Sequence, residues 1–135
     1  MSTQYTVNDY MRQDLVTLSI DMDISKAIES FVDSKISGAP VIDEHGMLIG
    51  MLSEADCIKA YISCVYNSSG SGCGHVAEFM STQLHTLTPS ADLIEAANLF
   101  MQHNLRRIPV VSYGRLVGQL SRHNLLKAIH DNDWA

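Results

Sequence analysis

The chain has 135 residues, 46% apolar and 18% charged, with a formal net charge of −6. That is enough material for one ordinary globular core and too apolar for a disordered segment. There is no basic tract beyond Arg106-Arg107, so a nucleic-acid surface is not expected. No run of 18 apolar residues occurs, and the N-terminus lacks the charged-then-apolar layout of a signal peptide. A soluble, cytoplasmic protein without a membrane partner is the expectation. Three cysteines, Cys57, Cys64 and Cys73, are an odd number, which argues against a disulfide framework and fits a reducing compartment.

In chain order, a polar-capped segment at Val7–Met11 is followed by a short strand, Leu15–Leu18. An amphipathic helix then starts after an Asp23 N-cap, with Ile24, Ala27, Ile28, Phe31 and Val32 at helical spacing. A strand at Ala39–Ile42, a turn at Glu44-His45-Gly46 and a strand at Met47–Leu52 lead into a helix over Glu54–Ile62. Tyr61 to His75 contains NSSGSGCGH, a Gly/Ser-rich, helix-breaking stretch that reads as a mobile linker over residues 63–75.

The pattern then repeats. An offset of 69 residues brings Val7 onto Val76, Met11 onto Met80, Leu18 onto Leu87, Asp23 onto Asp92, Phe31 onto Phe100 and Pro40-Val41 onto Pro109-Val110. After a one-residue deletion in the second turn the offset becomes 68, and Gly46, Gly50, Leu52, Ser53 and Ala60 each meet their own kind. Matches sustained over a whole half indicate a duplicated unit. The second copy has its strand at Leu84–Leu87, a helix with Leu93, Ala96, Ala97, Phe100 and Met101 on one face, and a last helix over Arg122–His130. Strand–helix–strand–strand–helix implies an α+β fold in which each repeat is a small three-stranded sheet with helices on one face. The repeats are expected at residues 5–62 and 76–131, packed about a pseudo-two-fold axis.

The chemistry sits where each unit's last strand meets its last helix. Ser53 opens a helix, so unpaired backbone N–H groups and the positive end of the helix dipole are available to an anion. Asp56, one turn in, can accept both hydroxyls of a ribose. Ser-x-x-Asp at a helix start is equally an ordinary capping box, and from that motif alone capping is the simpler reading. Arg106-Arg107 after a helix likewise reads either as phosphate ligands or as a solvated pair favoured by the helix dipole.

Gly50-Met51-Leu52-Ser53-Glu54-Ala55-Asp56 and Gly118-Gln119-Leu120-Ser121-Arg122-His123-Asn124, each after a Pro-Val strand, resemble the cystathionine-β-synthase (CBS) domain. Two in tandem resemble a Bateman module. The resemblance covers nearly the whole chain and implies two clefts, each assembled from both repeats, that bind adenosine nucleotides such as AMP, ADP and ATP, or S-adenosylmethionine. Cleft one would take Ser53 and Asp56 from the first repeat and His85, Thr86, Arg106 and Arg107 from the second. Cleft two would take Ser121, Arg122 and Asn124 from the second, with Val16, Thr17, Ile36 and Ser37 from the first. The second is the weaker, because Asn124 is a neutral acceptor and Ser37-Gly38 stands where the first has two arginines. The resemblance further implies regulation without catalysis, a homodimer joined through helices, and an unidentified regulated protein. The last helix with Trp134 is a candidate contact. A purely structural dimerisation module with empty clefts is the alternative.

Other chemistries find no pattern. The spacing of Cys57, Cys64, Cys73 and His75 matches no standard zinc site. Ser53, His45 and Asp43 lack a nucleophile elbow. Neither a phosphate loop nor a dinucleotide fingerprint occurs.

Overall fold

The computed structural model describes residues 5–67 and 72–132. Trp134 and residues 68–71, inside the expected linker, lie outside the described residues. The elements, in order, are a 3-10 turn (Val7–Asp9), β1 (Leu18–Ser19), α1 (Ile24–Ser34), β2 (Gly38–Ile42), β3 (Leu48–Ser53), α2 (Glu54–Tyr66), α3 (Val76–Phe79), α4 (Leu93–His103), β4 (Arg107–Ser112), β5 (Arg115–Ser121) and α5 (Arg122–Asp131). No described helix is long and apolar enough to cross a membrane.

The α+β reading holds. In the first sheet β1 runs parallel to β2, which pairs antiparallel with β3. A parallel pair needs a crossover connection, and α1 supplies it. The second sheet consists of β4 and β5, and its third strand shrinks to one parallel bridge between Leu87 and Val110. Leu87 N donates to Pro109 O at 3.1 Å and Leu87 O accepts from Val111 N at 2.8 Å. The next donor along the ladder falls at Pro89, the repeat counterpart of Ile20. Proline has no N–H, so the strand stops there. Of the expected strand at Leu84–Leu87 only the final residue pairs, and that at Leu15–Leu18 starts only at Leu18.

The two hairpins differ as their lengths require. In the first, Asp43 Oδ1 accepts from His45 N (2.8 Å) and Met47 N (3.0 Å), and Gly46 takes φ +80°. The second closes on two residues, Tyr113 (φ +52°) and Gly114 (φ +82°), the left-handed pair that suits a two-residue hairpin.

Two compact units emerge, and they cut the chain differently from the sequence repeats. One runs from Val16 to Leu84; the other joins residues up to Leu15 with those from His85 onward. The segment opening each repeat thus packs on the other repeat's sheet. Val7 N donates to Ala91 O (2.9 Å), Arg12 and Gln119 exchange two backbone bonds of 2.9 Å, and Val7 is fully buried beside Phe100, Ile108 and Leu120. In the other unit Ser81 and Met51 exchange bonds of 2.9 and 3.0 Å, and Val76 is buried beside Leu18, Ile24 and Leu52. The cores match position for position: Leu18 with Leu87, Ile24 with Leu93, Phe31 with Phe100, Val41 with Val110 and Leu52 with Leu120.

The cysteine reading is overturned in one respect. Cys64 and Cys73 form a disulfide, with Cα atoms 4.9 Å apart. Helix α2 continues to Tyr66 rather than stopping at Ile62, which carries Cys64 onto the helix's closing turns where the returning chain meets it. The odd count leaves Cys57 as the free thiol, so it no longer argues for a reducing compartment. Cys57 is buried and occupies the core position that Leu125 fills in the other repeat.

Gly50 and Gly118 admit the exchanged segments. A Cβ on Gly50 would meet the Met80 side chain and lie 3.1 Å from Ser81 O; one on Gly118 would meet the Met11 side chain and lie 2.9 Å from Arg12 O. A methionine side chain can move aside more easily than a backbone carbonyl. Gly118→Ala is therefore expected to destabilise by about 1–3 kcal/mol and Gly50→Ala by less, measured by urea denaturation.

Candidate functional site

In each unit the residues singled out from the sequence gather at one end of the sheet, where the antiparallel pair begins and ends. Gly38 pairs with Ser53 and Arg107 with Ser121. Because Leu18 lies opposite Val41 in a parallel pair, Thr17 and Val16 precede it toward that same end; His85 and Thr86 stand likewise relative to the Leu87–Val110 bridge. The Val16–Leu84 unit thus assembles Val16, Thr17, Ile36, Ser37, Ser53 and Asp56. The other unit assembles His85, Thr86, Arg106, Arg107, Ser121, Arg122 and Asn124.

Capping is real at both helix starts. Ser53 Oγ accepts from Asp56 N (3.2 Å), and Asp56 Oδ2 accepts from Ser53 N (2.8 Å) and from Ser53 Oγ (3.0 Å). This reciprocal box satisfies donors the helix cannot satisfy itself. The cap uses Oδ2; Oδ1 makes none of its bonds and belongs to a half-buried residue. Ser121 and Asn124 repeat the box at 2.9 and 3.1 Å through Asn124 Oδ1, which leaves the amide nitrogen outside it. The first corner therefore presents a carboxylate oxygen and the second a neutral N–H donor group. Glu54 N donates to Ser37 O (3.0 Å) and Arg122 N to Arg106 O (3.1 Å), tying each helix start to the chain entering the sheet.

The two ends differ in charge. Glu54 and Asp56 make the first acidic, while Arg106, Arg107 and Arg122 make the second cationic. Arg122, expected to lend charge to a ligand, instead holds the end of α4: its Nε donates to Leu105 O and a terminal nitrogen to Asn104 Oδ1 at 2.9 Å. Asn104 is the left-handed residue closing α4 (φ +51°), and the guanidinium secures that turn. Arg106 is exposed and Arg107 half-buried.

Sequence patterns gave no reason to select His103. Its ring stacks on His85, with centroids 3.7 Å apart and planes 22° from parallel. The repeat counterparts are Ser34 and Val16, so this imidazole pair exists in one copy only. Near the other corner, burial and then the charges of Asp56 and Glu54 push the Cys57 thiol above its usual range. It is a poor nucleophile there.

A family model for the CBS domain matches residues 7–63 and 76–131. The chain belongs to the CBS domain family. This CBS pair is similar to an uncharacterised protein of Methanocaldococcus jannaschii, 30% identical over 129 residues covering 96% of this chain and 44% of that protein. The CBS domain-containing protein YhcV of Bacillus subtilis is 33% identical over 114 residues, 84% of this chain and 77% of its own. Chloroplastic CBSX2 of Arabidopsis thaliana is matched over 63% of its length, so the chain spans only about half to two-thirds of these longer relatives. The crystal structure of CBSX2 in complex with AMP superposes with a TM-score of 0.83 at 30% identity, covering 94% of this chain and 97% of that one.

The cap predicts a separation of roles at Asp56. Asp56→Ala should cost about 0.5–2 kcal/mol of stability, whereas Asp56→Asn, reproducing the box seen at Asn124, should leave the urea midpoint nearly unchanged. For Cys57, alkylation in the native protein should lag far behind that in urea, followed by mass spectrometry.

Proposed function

We propose that this CBS pair is a ligand-sensing regulatory module that binds an adenosine nucleotide and passes the bound state to a partner protein. The observation that carries the reading is the AMP complex of CBSX2, related over nearly the whole chain at 30% identity. Local chemistry supports it. Asp56 Oδ1 is left over by the cap and can accept charge-assisted hydrogen bonds from ribose hydroxyls. Arg106 and Arg107 match phosphate oxygens. The residues proposed to act are Ser53, Asp56, His85, Thr86, Arg106 and Arg107, with a weaker set in Ser121, Asn124, Val16, Thr17, Ile36 and Ser37; Arg122, committed to the end of α4, contributes less.

Binding at such a site regulates only through a difference in affinity between two arrangements of the protein, typically about 1–3 kcal/mol. A ligand at 100 times its dissociation constant adds about 2.7 kcal/mol of stability. Melting should therefore rise in millimolar AMP, ADP, ATP or S-adenosylmethionine, and Asp56→Asn should weaken AMP about tenfold by calorimetry while keeping its unliganded midpoint. No shift with any of the four ligands sinks the nucleotide reading.

A dimerisation role, alone or in addition, is favoured by apolar surface that α1 and α2 leave exposed. Val32 is 68% exposed, Ile58 59% and Tyr61 63%, around a groove of about 290 Å³ that also includes Ile28 and Phe31. The same positions recur in the other repeat as Met101 (71%) and Leu126 (63%). Exposed apolar groups at matched positions suit a second copy of the chain. This face, with Met101 on α4 and Leu126 on the final helix, is the proposed homodimer contact. Val32→Glu with Ile58→Glu should convert a dimer to a monomer in sedimentation equilibrium; a wild type already monomeric at high concentration excludes the contact.

A further inference from the structure

The Cys64–Cys73 disulfide anchors a strap that runs to the candidate site. Cys64 is half-buried near the end of α2; Cys73 is exposed. Beyond Cys73 the chain crosses the start of α1: Gly74 O accepts from Ile24 N (3.0 Å), Val76 N donates to Met22 O (2.8 Å), and His75 Nε2 lies 3.4 Å from the Asp23 carboxylate. Val76 is fully buried, the Met80 side chain lies over Gly50, and Ser81 exchanges two backbone hydrogen bonds with Met51. The strap thus begins at a covalent bond and ends on β3 two residues before Ser53. At its start stand Gly72 (φ +90°) and Gly74 (φ +104°), residues with the widest conformational freedom once untethered.

We propose that Cys64–Cys73 is a redox-sensitive clasp: oxidised, it fixes the strap against α1 and β3; reduced, it loosens the strap and lowers ligand affinity at the Ser53–Asp56 corner. The ligand part rests on the nucleotide reading above. The reductant is a dithiol. Its thiolate attacks exposed Cys73 Sγ, forming a mixed disulfide, and Cys64 leaves as a thiolate that takes up a proton. The reductant's second thiol, as thiolate, then attacks its own sulfur in the mixed disulfide, releasing Cys73, which is protonated in turn. Two electrons pass to the protein and the dithiol departs as a disulfide. Buried Cys57, its thiol disfavoured as an anion, does not exchange with the pair.

The test compares the full chain after oxidised glutathione, after dithiothreitol, and as the Cys64→Ser/Cys73→Ser variant. Hydrogen exchange, melting and AMP calorimetry are measured on each. Expected on reduction are two newly alkylated thiols and a melting point lower by roughly 5–10 °C. Exchange at the amides of Val76, Met80 and Ser81 should be at least about tenfold faster, which corresponds to about 1.4 kcal/mol of lost local protection. AMP affinity should fall several-fold. The double variant should match the reduced protein and ignore the reductant. Free thiols at Cys64 and Cys73 after oxidised glutathione, or identical strap exchange in both states, overturn the clasp. Changed strap exchange with an unchanged AMP dissociation constant overturns its coupling to the site. A redox-dependent strap in a protein that binds AMP in neither state supports the clasp and removes the nucleotide reading instead.

Discussion

The corner at which each sheet delivers its chain into a helix carries the most consequence in this molecule. A helix start leaves backbone N–H groups without partners, and here the strand ends on the residue that must satisfy them. Ser53 and Asp56 do so reciprocally, as do Ser121 and Asn124. The bond from the next N–H back to Ser37 O or Arg106 O locks the corner to the strand beside it. The same side chains that hold the fold are therefore the ones displayed at the sheet's end. A carboxylate has one more oxygen than the cap requires, and that surplus distinguishes the first corner from the second.

A second constraint is close approach. Gly50 and Gly118 lie where Met80 and Met11 cross the last strand, and Ser81 and Arg12 bond to the residues after them. The opening segment of each repeat is seated on the other repeat by backbone hydrogen bonds, two of them to its last strand, and by one buried valine. Such seating makes neither repeat complete without a piece of the other. It also places the strap after Cys73 beside the last strand, two residues before Ser53.

Duplication preserved the core and let the surface diverge. Buried positions correspond almost one for one, even where Cys57 stands for Leu125. The corners do not: Asp56 against Asn124, Ser37-Gly38 against Arg106-Arg107, and Val16 with Ser34 against the stacked His85 and His103. Close packing tolerates little change of volume, whereas a half-exposed polar position is free to acquire charge.

By itself the sequence determined the duplication, the α+β class, the helical faces, the turn glycines and the Ser-x-x-Asp and Ser-x-x-Asn corners. All of these are local patterns of spacing or identity, which short stretches of chain carry in full. Only the tertiary structure decided the rest. The exchange of opening segments depends on which sheet Val7 and Val76 reach, and identical repeats offer identical patterns to both. The loss of the second short strand turned on one missing N–H at Pro89, whose effect exists only once Val111 lies alongside. Arg122 was drawn to the end of α4 because the left-handed turn at Asn104 points acceptors at it. Cys64 and Cys73 met because α2 ran one turn further than its spacing suggested, and His103 met His85 across 18 residues. These are tertiary contacts, and local spacing along the chain gives no sign of them.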